Sequence, residues 1–91
     1  MTTNIKITQT PVDIETLIAS VFGSVDNETT YQIQNTGGNI IFALTIVDND
    51  EEKAQCNNIK ELAYYKHKDN TVVKLFTNFF DTTIAITILG E

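Results

Sequence analysis

The chain has 91 residues, 42% hydrophobic and 20% charged, with a single cysteine and a net charge of −6 from twelve acids and six bases. That length suits one core rather than two, and the apolar content lies far from the signature of disorder. The acidic balance argues against direct contact with nucleic acid or anionic membranes, which attract clustered lysine and arginine, and the lone Cys56 rules out an intrachain disulfide.

A domain of this size buries only roughly 60 to 65% of the surface its unfolded chain exposes, so cover from a neighbouring subunit would add to a thin margin of stability. Residues 1 to 6 lack the charged and apolar regions of a signal peptide, and no apolar run approaches the ~20 residues of a membrane span. With no repeat and no proline-rich linker, residues 1–91 read as one soluble domain made in the cytoplasm.

In chain order, Asn4 to Gln9 alternate with period two and put Ile5 and Ile7 on one face of a strand, which Pro11 ends or holds at an edge. From Asp13 the period changes: Ile14, Leu17, Ile18 and Val21 predict a short helix near residues 14–22, with Asp13 as N-cap and Gly23 just past its end. Tyr31 and Ile33 face inward from a strand, and Asn35-Thr36-Gly37-Gly38-Asn39 then predicts a hairpin turn. Ile40 to Val47 is apolar on both faces, as expected of the most buried strand, with the core on one side and the helix or a partner on the other. Asp48 to Asn58 reads as an exposed acidic loop. A second hairpin pairs Ile59–Lys66 with Thr71–Thr77, where Val73 and Leu75 oppose Val72 and Phe76, and Thr82 to Leu89 alternates with Ile84, Ile86 and Ile88 on one face. The expected fold class is all-β with a minor helix: a small β-sandwich or barrel of about six antiparallel strands.

Few residues suggest chemistry. His67 and Cys56 are the only histidine and thiol; nothing nearby in sequence orients either, and Lys66 and Lys68 make His67 read as part of a solvated turn. Asp48-Asn49-Asp50-Glu51-Glu52 offers hard oxygen ligands but lacks the glycine and closing glutamate of an EF-hand, so it reads as surface charge. Gly37-Gly38 is too short for a phosphate loop, and neither a cofactor nor a metal is expected. The aromatic pairs are more informative, because neighbours in a strand point to opposite faces and one of each pair needs outside cover. Tyr64, Tyr65, Phe79 and Phe80, with Ile41 in the doubly apolar strand, are therefore the candidate interface.

The stretch Ile7 to Ile14, the apolar helical segment, and Thr30-Tyr31-Gln32-Ile33-Gln34-Asn35-Thr36-Gly37 together resemble the opening of small phage virion β-sandwich proteins, with Tyr-x-Ile-Gln-Asn-x-Gly the most telling part. The closing alternation Thr83-Ile84-Ala85-Ile86-Thr87-Ile88-Leu89-Gly90-Glu91 is similar too. The chain departs from that pattern between Asp48 and Asn58, where the proline after the central strand and the Pro-Gly turn are missing. What the resemblance implies is a non-enzymatic virion component, a capsid decoration or head-tail joining protein, homo-oligomeric in the particle and bound to capsid or connector subunits. The alternative is a small acidic phage-encoded inhibitor of a host nucleic-acid enzyme that imitates DNA, although its acids cluster in one loop rather than lining a face.

Overall fold

A computed structural model describes residues 2–50, 52, 54–59, 61–78 and 80–89. It contains eight strands, β1 (Thr2–Ile7), β2 (Val12–Asp13), β3 (Thr30–Asn35), β4 (Ile41–Val47), β5 (Gln55–Ile59), β6 (Leu62–Lys66), β7 (Thr71–Thr77) and β8 (Thr82–Leu89), and one helix, α1 (Ile14–Phe22). They form two antiparallel four-stranded sheets: sheet A in the order β1-β8-β3-β6 and sheet B in the order β2-β7-β4-β5. The pairs β1–β8, β2–β7, β3–β6 and β4–β5 are those of one long hairpin folded between β4 and β5 and rolled up. That winding makes the β-sandwich a jelly roll.

The all-β class with one short helix holds, and the strand inventory changes. Two strands exceed the expected six: β2, too short to show a period, and β5, which turns the end of the acidic loop into an edge strand. Neither expected hairpin forms, because β3 and β4 lie in different sheets, as do β6 and β7. A short Gly/Asn segment looks alike in sequence whether it reverses a strand or carries it across to the other layer. Among the described residues, the one hairpin between consecutive strands is β4–β5. It opens with Asp48 and Asn49 at φ 56° and 58° and the Asp50 amide donating to the Val47 carbonyl at 3.0 Å, the geometry of a type I′ turn.

Helix α1 follows its sequence signals closely. The Asp13 carboxylate accepts from the Glu15 amide at 2.9 Å, and Gly23, at φ 91°, donates to the Ala19 carbonyl and ends the helix in the left-handed conformation that glycine tolerates. Its Ile14, Leu17 and Ile18 join Ile7, Tyr31, Ile33, Ile41, Tyr65, Leu75, Ile84 and Ile86 in the core between the sheets. Phe22 stacks on Tyr31, with ring centroids 6.2 Å apart. The most buried strand is β8 rather than β4: both run between two neighbours, but β8 buries Thr82, Ile84, Ala85 and Ile86, whereas on β4 only Ile41 and Ile46 are buried. Among the described residues, no helix is long and apolar enough to cross a membrane.

Candidate interaction surface

The two sheets differ on their outer faces. On sheet A the outward positions are mostly polar: Asn4 and Lys6 on β1, Gln32 and Gln34 on β3, and Thr83 and Thr87 on β8. On sheet B the inward set is Ile41, Ala43, Val73 and Leu75, so alternation turns Phe42, Leu44, Ile46, Val72 and Phe76 outward, with Lys74 among them opposite Leu44. Phe42 and Phe76 face each other across β4 and β7 and stack with centroids 5.4 Å apart. These side chains are half-buried against one another, apart from Ile46, which is buried at 8% exposure. At one end of the face Ile40 and Phe80 stand out, Phe80 at 70% exposure, beside a hollow of about 380 Å³ that reaches Phe42.

Helix α1 leaves this face open. The doubly apolar Ile40–Val47 segment led to two expected covers, the helix or a partner, and α1 instead packs its buried side chains into the inner core. The four strands of sheet B carry just two charged residues, Asp13 and Lys74, which lie opposite each other on β2 and β7.

The candidate interface residues divide between inside and outside. Ile41 is fully buried and Tyr65 is 8% exposed, both in the chain's own core, so neither can form a contact surface; the strand phase that buries Leu75 and Tyr31 buries them as well. Tyr64, at 60%, and Phe80 are exposed, and Phe79 lies outside the described residues. Tyr64 and Leu62 rim a second opening of about 340 Å³ between the edge strands β5 and β6, floored by the small side chains Ala43 and Ala63.

His67 proves to be oriented, which overturns its reading as a solvated turn residue. Its Nδ1 lies 2.6 Å from Glu15 Oε2 and its Nε2 3.1 Å from Asp69 Oδ1, while the Tyr65 hydroxyl donates to the same Glu15 oxygen. The protonated ring donates to both carboxylates and straps the β6–β7 connection to the first turn of α1. Sequence gave no local signal for this, since Glu15 and His67 are 52 residues apart. Both ring nitrogens are engaged and Cys56 sits in β5 opposite Leu44, so the two form no dyad. The two carboxylates bind opposite nitrogens rather than converging on a point, and among the described residues no group of three or more His, Cys, Asp or Glu could hold a metal ion. In the acidic turn Asp50 Oδ1 accepts from the Glu52 amide at 3.1 Å, and Glu51 lies outside the described residues.

No family model, no curated protein and no solved structure matches the chain. Its surface and its winding carry the functional reading.

The strap should make stability depend on pH. Hydrogen bonds that the ring donates to Glu15 and then Asp69 raise the His67 pKa above its ordinary 6.5, against an opposing effect of burial. Burial pushes the Glu15 carboxyl up, but the bonds from Tyr65 and His67 outweigh it and hold the group below its ordinary 4.5. A raised histidine contributes stability that is complete below about 6.5 and lost as pH climbs through the folded value; a lowered carboxylate loses its contribution as pH falls through its own. The strap is therefore intact between those two values. Melting temperature measured from about pH 6 to pH 9 should fall in the wild type and stay flatter in His67→Gln; parallel curves would show that the ring bonds add nothing.

Proposed function

We propose that the chain is a non-enzymatic structural protein of a phage particle, a capsid decoration or head-tail joining component that acts through contacts with neighbouring subunits. The observation that carries the reading is the outer face of sheet B, an apolar surface that the helix leaves open. A soluble monomer gains nothing from arranging Phe42, Leu44, Val72 and Phe76 outside its core, whereas an assembly part gains the burial of that face at each contact. Two further features support the particle setting: the resemblance of the Tyr31–Gly37 run and the closing alternation to small virion proteins, and the jelly-roll winding, which viral capsid domains share with lectins. Winding alone does not decide function.

The alternative, an acidic inhibitor that imitates DNA, needs carboxylates in rows along a face. Here Asp13 is the one acid within the described strands, and the remaining described acids sit on α1, turns and connections. Mass spectrometry of purified particles encoded by the same genome decides the matter. The protein is expected as a stoichiometric component that co-sediments with heads or connectors; its absence from intact particles, with the free protein abundant in the lysate, would overturn the reading.

A further inference from the structure

We propose that the outer face of sheet B is covered by the same face of a second copy of this chain, giving a two-fold pair of sandwiches packed sheet to sheet. The pair rests on the reading above in taking this face as a contact surface, but it names the occupant, and its test is separate.

Charge selects the occupant. Each copy carries −6, so two copies repel over most approaches, and the acids lie mainly on the helix, turns and connections. Sheet B is the exception: its two charges, Asp13 and Lys74, are of opposite sign and adjacent in register, so the strand region has no net charge. Two copies can bring Phe42, Leu44, Val72 and Phe76 together without setting carboxylate against carboxylate, and Lys74, which lies among them, has Asp13 beside it in register as a compensating charge. A two-fold contact uses the same patch twice, so a surface that is mostly apolar and without net charge is complementary to itself. A basic partner would instead be drawn to the acidic connections.

Area sets the strength. The strands of sheet B are two, seven, seven and five residues long, which at about 4.8 Å between strands and about 3.4 Å per residue gives a footprint of roughly 340 Å² on each copy, before the rim at Ile40 and Phe80 is added. Two such footprints reach the ~1,000 Å² at which interfaces become specific only with the exposed Ile40 and Phe80 of both rims, so weak association in roughly the micromolar range is expected, strengthened where many copies sit side by side. Aligned sheet packing, with the sheets about 10 Å apart and strands crossing near 30°, is the geometry such faces adopt.

Sedimentation equilibrium and native mass spectrometry of the purified protein, from about 1 to 200 μM around the micromolar range expected, provide the test. A concentration-dependent dimer is expected. Phe76→Asp and, separately, Leu44→Lys should each weaken association at least tenfold while leaving the circular dichroism spectrum native, and Tyr64→Ser on sheet A should leave it unchanged. A wild type that stays monomeric at the highest concentration overturns the pair, as does a dimer that Tyr64→Ser disrupts and both sheet B variants leave intact. Should either sheet B variant fail to fold, the wild-type result and the other variant still decide. A monomer found in particles would overturn the pair and leave the assembly reading standing; a dimer missing from particles would do the reverse.

Discussion

Leu75→Ala and Phe76→Ala, neighbours on β7, are expected to differ several-fold in their effect on stability. Leu75 is fully buried in the core, paired with Val12 and Ala43 on the flanking strands, so truncation removes transfer free energy and leaves a cavity that well-packed neighbours cannot close. The cost should be about 2–5 kcal/mol, a large part of the 5–10 kcal/mol expected on the order of magnitude for a chain of this size. Phe76 points the other way, and in the monomer it loses mainly its stacking on Phe42, about 1 kcal/mol. Urea unfolding well below the micromolar range, where the chain is monomeric, measures both. Equal losses would mean that something in the monomer covers Phe76, and the outer face would no longer be a contact surface.

Gly37→Ala and Gly38→Ala should likewise separate, for a reason unrelated to backbone angles. The connection from β3 to β4 lies against the start of β8, where the Thr36 and Gly37 amides both approach the Thr83 carbonyl at 3.0 Å and the Gly37 amide also donates to Asn35 Oδ1 at 3.1 Å. A Cβ on Gly37 would sit 1.7 Å from Thr82 Oγ1 and 2.8 Å from the Thr83 backbone nitrogen, so strand β8 or the connection must move and those bonds stretch. Overpacking of this kind costs about 1–3 kcal/mol or more. A Cβ on Gly38 meets nothing within 4 Å, and Gly38 is not at positive φ, so alanine there should be neutral or stabilise by about 0.4–1 kcal/mol through the unfolded chain. Thermal melts of the two variants check this; a stable Gly37→Ala would show that the crossover can relax.

The same glycine pair shows where a sequence pattern stops being informative. Asn35 to Asn39 holds residues suited to a reversal with positive φ, and the hairpin expected there followed from that preference. In the structure Gly37 is needed because a distant strand comes within contact, a fact recorded at Thr82 and Thr83 rather than nearby in the chain. Helix α1 is the opposite case. Its cap, its apolar spacing and its terminating Gly23 are all local, so its limits could be read directly. Tyr65 and Ile41 fall between the two. That one member of the Tyr64–Tyr65 pair is outward was legible from alternation, but which one depends on the phase of the sheet relative to the core. The strap through His67 was not legible, because it joins a helix start to a strand end across half the chain.

Short-range periodicity is enough to read the chain as mostly β with one capped helix, to put Ile84, Ile86 and Ile88 on one face, and to show that Ile40 to Val47 is apolar on both sides. Only the tertiary structure decided how the strands divide between two sheets, which of the two apolar sides of β4 and β7 is the core, and that α1 fills the inner layer and leaves Phe42 and Phe76 uncovered. The physical reason is that rolling the long hairpin separates neighbours in sequence into opposite layers and pairs the first strand with the last. The contacts that choose a face are therefore made by residues that no local window contains.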